Sequence, residues 1–455
     1  MPYGGQIKRL QALESIVARV LKLKPKPKHN KNMKCNKWTL ALIGAGLVSA
    51  PAVTRADEAT NAIVTALSAT TISGYVDTSA EWNPGTGNAN LPPYAFGGTS
   101  KADGFNLDVV KLTIAKDVVP TDSWGAGYKV DLLFGPDASA FHTQSTGIAA
   151  DFAVKQAYVA LHAPVGNGLD FKMGVWDTII GYEVFESPNN PNFTRSYGYT
   201  MEPTTHTGLQ ATYQVCDAVS VTAGIADSFG PTINGRSFAP ANTGANSTAE
   251  SFKTYMGSVT FTAPTNMAWL SGSTLSACII SGYNSGVPGS APVPGAPPTP
   301  GTFGNIETHY YVGATINTPL NWLKVGGAFD YLDVHNLGGQ NLVLGGYVSA
   351  QATEKLSFNG RAEYMVDDGA QKLFVDAFGY PIAPNRVGEL TLTVQYDLWK
   401  NVLSRIEFRW DHSLSGESVW GGTAPNSAAS AAGSATPTGT LRNEWLLAAN
   451  IVYKF

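Results

Sequence analysis

Between residues 387 and 455 hydrophobic and polar positions alternate with a period of two. Glu389, Thr391, Thr393, Gln395 and Asp397 alternate with Leu390, Leu392, Val394 and Tyr396; after a short break Arg405, Glu407, Arg409 and Asp411 alternate with Ile406, Phe408 and Trp410. In the last stretch Trp445, Leu447, Ala449, Ile451, Tyr453 and Phe455 share one face, while Arg442, Glu444, Asn450 and Lys454 share the other. Successive side chains of a strand point to opposite faces, so the pattern predicts three β-strands. A soluble sheet would lay its apolar face on a packed core. Here that face carries large aromatics near strand ends and the polar face carries dense charge of both signs, which predicts a transmembrane β-barrel with lipid outside and water inside.

Extended upstream, alternation and turn punctuation predict strands at 71–83, 105–116, 125–135, 152–163, 168–176, 206–215, 219–227, 252–263, 274–284, 305–317, 322–333, 341–352 and 355–366, followed by 387–397, 401–412 and 441–455. The expected fold is all-β, an antiparallel transmembrane barrel of about sixteen strands over 71–455. Long connections such as 84–104, 177–205 and 413–440 alternate with short ones such as 164–167, 216–218 and 353–354. That alternation puts both termini and the short turns in the periplasm, and the long loops outside. The stretches Ser285 to Gly304 and Gly421 to Thr440, rich in Pro, Ser, Gly and Ala, read as mobile external loop tips.

Where alternation is clean the faces can be named. In 125–135 Tyr128, Val130, Leu132 and Phe134 face lipid and Lys129 and Asp131 face inward; in 355–366 Leu356, Phe358, Ala362 and Tyr364 face lipid, with Lys355, Asn359, Arg361 and Glu363 inward. A Lys or Arg on the lipid face at mid-depth costs about 2–4 kcal/mol, which fixes the assignment. The strands at 105–116 and 152–163 alternate poorly, as a bulge or local burial would produce.

Composition adds little until the N-terminus is set aside. The 455 residues are 44% hydrophobic with a mean hydropathy of −0.05, an average that conceals alternating lipid-facing and water-facing residues. Lys34 and Lys37 precede the apolar run from Thr39 to Val53, which ends in Thr54-Arg55-Ala56 before Asp57. This predicts a Sec-type signal over 33–56, cleaved after Ala56; the run is short for a membrane-spanning helix. Met33 would then be the start, residues 1–32 an extension, and 57–70 a short periplasmic segment. Beyond residue 56 lie 19 of the 30 basic and 33 of the 34 acidic residues, a balance near −14. Such a chain does not invite nucleic acid, and a pore lined by it would favour cations. Cys35 falls in the signal, leaving Cys216 and Cys278, which are expected to be free thiols.

Several segments resemble one family: Gly74-Tyr75-Val76-Asp77, the run from Gly127 to Gly135, Lys155-Gln156-Ala157-Tyr158-Val159, and the stretch from Lys172 to Tyr199. They are similar to the OmpL-like β-barrel porins of Gram-negative-type bacteria, over roughly residues 70–455. The resemblance implies an outer-membrane porin for small solutes and supplies no functional residues to carry over.

The connection 177–205 is the richest in candidate chemistry, holding Glu183, Glu186, Arg195 and Glu202 around Pro188-Asn189-Asn190-Pro191-Asn192. By analogy with porins whose third loop folds inward, these residues would line a constriction. Arg361, Arg405 and Arg409 would oppose them, and Lys129, Asp131, Glu363, Glu389 and Glu407 would complete the lumen wall, where mixed charges also pair across strands. Tyr453 and Phe455 resemble the terminal signal read by the outer-membrane assembly machinery. No H-E-x-x-H, serine-elbow or C-x-x-C pattern occurs, so neither catalysis, metal nor cofactor is expected. The Asp367-Asp368 pair reads as an exposed acidic turn. The expected protein is a porin of the bacterial outer membrane, embedded in lipid, compatible with a homotrimer, and passing small hydrophilic solutes or ions by diffusion. The rivals are a plugged structural or adhesive barrel and a secreted soluble β-protein.

Overall fold

A computed structural model describes residues 69–455, apart from 86, 119–122, 142, 144–150, 237–250, 284–305, 336–338, 370–373, 375–381 and 427–437. The signal expected over 33–56, its cleavage after Ala56, the extension 1–32, the loop tip 285–304 and nearly all of 57–70 lie outside the described residues.

Sixteen strands are present: β1 (Thr71–Trp82), β2 (Gly104–Lys116), β3 (Gly125–Phe134), β4 (Phe152–Ala163), β5 (Leu169–Asp177), β6 (Thr205–Cys216), β7 (Val219–Ala226), β8 (Thr254–Thr262), β9 (Thr274–Tyr283), β10 (Ile306–Asn317), β11 (Leu323–Val334), β12 (Gly339–Gln351), β13 (Leu356–Gly369), β14 (Arg386–Trp399), β15 (Val402–Ser413) and β16 (Asn443–Lys454). Each pairs antiparallel with its neighbours in sequence, and β1 pairs with β16 from Tyr75↔Lys454 to Trp82↔Leu447, closing the barrel. Closure leaves no sheet edge with unpaired backbone groups. The seam extends one residue past β16: Gly74 and Phe455 exchange both backbone hydrogen bonds, each 3.0 Å long. Only glycine fits at this place, because a Cβ on residue 74 would lie 2.1 Å from the Lys111 carbonyl oxygen and 2.7 Å from the Phe455 ring.

The two faces are inverted relative to a soluble protein. On β14 and β15 the outward Leu392 and Ile406 are 52% and 68% exposed, whereas the inward Thr391 and Arg409 are 0% exposed. An outer surface so apolar belongs in lipid, as an integral outer-membrane barrel requires. Exposed aromatics gather at both ends of the wall, with Trp124, Trp322, Trp399, Tyr453 and Phe455 near the short turns and Trp82, Phe105, Phe134, Phe152 and Trp445 near the long connections.

The poorly alternating strands each contain a bulge. Asp77 pairs with Val109 but Thr78 with Leu107, leaving Asp108 as an extra residue on β2. Asp131 pairs with Gln156 but Leu132 with Val154, leaving Lys155 as an extra residue on β4. Each bulge turns a charged side chain inward, and both are 1% exposed. Asp108 there meets Lys101 at 2.8 Å.

Three expectations are corrected. Asp367 and Asp368 lie in β13, not in a turn, because the ladder continues to pair them with Asn341 and Gln340; Asp367 accepts the Phe374 N–H at 3.1 Å. Lys355 sits before β13 begins and is exposed in the turn, where its ammonium donates to the Leu398 carbonyl. The tip 421–440 is fastened at its described ends: the Asn90 side chain donates to the Gly421 carbonyl at 2.7 Å and accepts from the Asn426 N–H at 2.7 Å. Cys216 and Cys278 are both free.

Charge is unevenly distributed around the wall. In β6 to β10 the only Asp, Glu, Lys or Arg is Glu307; on these strands the inward positions hold residues such as Gln210, Thr222, Ser258 and Thr260. The arc from β13 through β16 to β5 holds most of the strand charges.

Candidate functional site

The site is the third long connection, residues 178–204, which runs against the inward face of the wall. Prolines at 188 and 191 deny it a strand, and its local shape is set by its own side chains. The Asn190 amide closes a turn by accepting from the Val184 N–H at 2.9 Å and donating to the Val184 carbonyl at 2.6 Å. Ser196 caps a single helical turn, α2 (Tyr197–Met201), by accepting from the Tyr199 N–H at 2.9 Å; a helix of the same length, α1 (Pro136–Ala140), lies in the preceding long connection.

Charged side chains of the wall hold this connection largely by its main chain. Glu407 accepts the N–H groups of Phe193 and Thr194 at 2.6 and 2.8 Å and the hydroxyls of Thr194 and Thr393 at 2.6 and 2.7 Å. Glu363 accepts the N–H groups of Tyr197 and Gly198 at 2.8 and 3.2 Å. Carbonyl oxygens are taken by arginines: Arg361 donates to Thr194 at 2.6 Å, Arg405 to Ser187 and Asn190 at 2.9 and 2.8 Å, and Arg409 to Arg195 at 2.7 Å. Hydrogen bonds with one ionised partner are stronger than neutral ones, and burial adds to them.

The four acidic and basic residues expected at a constriction lie at this junction, all largely buried. Glu183 pairs with Arg361 at 2.8 Å and accepts the Ser196 N–H at 2.8 Å. Glu186 pairs with Lys111 of β2 and, at 3.1 Å, with Lys155 of β4. Burial alone would raise the Glu186 carboxyl, but these two ammonium groups outweigh it and hold it well below the ordinary range. Arg195 turns back on its own connection, donating to the Phe193 and Phe185 carbonyls at 2.7 and 2.5 Å and lying 5.7 Å from the ring centres of Phe96 and Tyr199. Glu202 lies against Asp330 of β11; burial first, and that neighbouring carboxylate second, push its carboxyl well above the ordinary range.

Among the wall residues, Asp131 collects Lys111 at 3.1 Å and Lys129 at 3.3 Å, and Arg361 also reaches Glu389 at 3.1 Å. Cross-strand register shows a feature that reading each strand alone misses. Glu363, Glu389, Asp411 and Glu444 are direct partners across β13 to β16, forming one acidic row. Such neighbours repel. Arg361, two residues from Glu363 on β13, pairs with Glu389, and Arg409, two residues from Asp411 on β15, binds Asp411 at 2.8 Å; the Tyr197 hydroxyl donates to Asp411 at 2.8 Å.

On the opposite side the connection is held by apolar contacts. Ile179, Ile180, Tyr197 and Met201 join Trp176, Met256, Ile280 and Leu332 in one buried cluster, and Tyr182 stacks on Tyr347 with ring centres 3.9 Å apart. A cavity of about 40 Å³, lined by Lys155, Asp177, Glu183 and Glu202 among others, remains inside the connection; it has room for about one water. Among the described residues no cluster of three His, Cys, Asp or Glu side chains could hold a metal ion.

The family described as "Putative beta-barrel porin-2, OmpL-like" matches residues 69–438. No curated protein matches the chain. Among solved structures, the outer membrane channel DcaP of Acinetobacter baumannii is 13% identical, covering 85% of this chain and 97% of its own, with a TM-score of 0.49. The outer-membrane expressed OmpT of Vibrio cholerae is 12% identical over 85% and 97%, with a TM-score of 0.47. An anion-selective porin from Comamonas acidovorans is 12% identical over 85% and 99%, with a TM-score of 0.49.

Proposed function

Because the chain belongs to the family of OmpL-like β-barrel porins, we propose that it gives small hydrophilic solutes or ions a passive route across the outer membrane, with a lean toward cations. The observation that carries this reading is the wall-held connection 178–204: a segment fixed inside a closed barrel narrows the lumen and sets what passes. Glu183, Glu186, Arg195 and Glu202 act here by fixing the position of that segment, and Lys129, Asp131, Arg361, Glu363, Glu389, Arg405, Glu407 and Arg409 are the wall that receives it. The lean toward cations rests on the acidic excess beyond residue 56, 33 acidic against 19 basic residues. In this reading the segment 33–56 exports the chain and is cleaved after Ala56, and Tyr453 and Phe455 present the last strand to the assembly machinery. Lipid covers the apolar band except where a homotrimer would bury it. No catalytic activity or cofactor is assigned.

Single-channel recording of the refolded mature protein tests the proposal, with a stepwise, salt-dependent conductance expected. Reversal potentials of Glu183→Gln/Glu186→Gln test the constriction; an unmoved cation preference would remove those acids from the narrow point. A second reading is favoured by the apolar cluster around Trp176, Ile280 and Leu332, which packs the connection against β5, β8, β9 and β11. It makes the barrel a plugged scaffold that binds a partner with its long loops, and it predicts no conductance.

A further inference from the structure

At one place the connection 178–204 meets the wall through two groups of the same sign. Glu202, just after α2, and Asp330 on β11 line one narrow space together with Gly198 and Glu363, within hydrogen-bonding reach of each other, and the two residues are 8% and 1% exposed. The backbone makes room for both. A Cβ at Gly181 would sit 2.6 Å from Glu202 Oε2, and a Cβ at Gly198 would sit 2.9 Å from Asp330 Oδ2. Asp330 Oδ1 meets His309 Nε2 of β10 at 2.9 Å, whereas Asp330 Oδ2 has no donor among the described groups. Two carboxyl oxygens hydrogen-bond only when one carries a proton, and two buried carboxylates in contact do not both ionise.

Apart from the His309 imidazole on Asp330 Oδ1, the surroundings do not relieve the pair. Glu183 of the same connection and Glu363 of β13 add negative charge. The Cys278 thiol of β9, the Tyr311 hydroxyl of β10 and the Tyr182 hydroxyl of the connection face this region. The Arg361 guanidinium of β13 is engaged by Glu183 and Glu389.

We infer that Glu202 and Asp330 form a proton-sharing latch that fastens the end of the connection to β11 and releases it when the shared proton is lost. The latch makes the lumen's inner segment responsive to pH, a property beyond passive diffusion. The sign follows from linkage. Released into water, Glu202 returns toward its ordinary value of 4.5, so the docked state holds the extra proton. From there up to the raised value, the docked-to-released ratio falls about tenfold per pH unit as pH rises. Glu186 acts oppositely, but below this window, because its carboxyl is held low.

The test is bilayer recording from pH 6 to 9 on the wild type and Glu202→Gln, which keeps a donor toward Asp330 and cannot ionise, together with the infrared carbonyl band of a protonated carboxyl. In the wild type the released-state population should rise with pH, by about tenfold per unit while it is the minor form and Glu202 stays protonated when docked. In Glu202→Gln it should be flat, and the neutral-pH carbonyl band should lose the contribution of one protonated carboxyl. The same slope in Glu202→Gln, a flat wild type, or no such band in the wild type overturns the latch. If Glu202→Gln does not fold, Asp330→Asn removes the second carboxylate and offers Glu202 a donor, and should move the response to lower pH; an unmoved response overturns the latch. Absence of conductance in every form would defeat the porin reading alone, since the infrared band still decides whether the proton is shared.

Discussion

Glu407, on the wall, accepts both the backbone N–H and the hydroxyl of Thr194, at 2.8 and 2.6 Å. The carboxylate also holds the Phe193 N–H, so one side chain fixes two consecutive peptide units. Glu407→Gln keeps the shape but replaces a charged acceptor by a neutral amide. Hydrogen bonds to charged groups contribute about 1.5–3 kcal/mol each against about 1 for neutral ones, so a loss of roughly 1–3 kcal/mol of docking is expected. The variant should show noisier or larger conductance with an unchanged barrel melting temperature. Wild-type channel records from Glu407→Gln would mean that the connection is held elsewhere.

Glu183 and Arg361 form a buried pair at 2.8 Å. Removing one partner leaves the other charge unmatched, at a cost of about 3–5 kcal/mol. Glu183→Gln and Arg361→Met should therefore each destabilise strongly, and the double variant should be less damaged than the sum. Chemical denaturation of the four proteins gives the coupling directly; additivity within about 0.5 kcal/mol would show that the two groups do not act together.

At the seam, Gly74→Val should block closure, because its Cβ would overlap the Lys111 carbonyl oxygen and the Phe455 ring. Phe455→Ala should close normally, since it leaves the backbone pair with Gly74 intact. Folding into lipid vesicles without added factors separates the two. A Phe455→Ala chain that folds alone but is handled poorly by the assembly machinery marks the ring as a recognition element, whereas failure in both settings marks it as structural.

Acid should loosen the connection through Glu186. Its carboxyl is held low by Lys111 and Lys155, so its contribution is fully present above the ordinary value of 4.5 and is lost as pH falls through the lowered one. Limited proteolysis of 178–204 at decreasing pH should show increasing cleavage, and Glu186→Gln should start from the loosened state and change less. Equal acid sensitivity in both proteins would assign the effect to other groups.

The strands are legible because all but β2 and β4 obey one local rule. All sixteen lie within three residues of the positions that alternation predicts. The two strands that broke the rule did so for a reason outside the pattern: Asp108 and Lys155 are bulged residues whose inward turn is set by partners on other segments, Lys101 for the first and Asp177 and Glu186 for the second. At the site, charge type and the likelihood of pairing could be read from the chain. What each charge binds could not, since Glu407 and Arg405 bind the main chain of 178–204, and a peptide group carries no signature in sequence. The acidic row from Glu363 to Glu444 was likewise hidden, because register across strands is a property of the closed sheet.

The manner of this grip bears on how the connection can change over time. Glu407, Glu363, Arg361, Arg405 and Arg409 hold peptide N–H and carbonyl groups, which are the same whatever side chain a position carries. An exposed side chain such as Asn189 can therefore be exchanged while the path of the connection is kept, provided that no proline removes a needed N–H, whereas Phe193 is packed against Leu446 and Ala448 of β16. The wall has no such freedom, since a single lost charge there unfastens several peptide units at once. A protein built this way can retune what its lumen presents to a solute by drift in a short segment, with the scaffold left untouched.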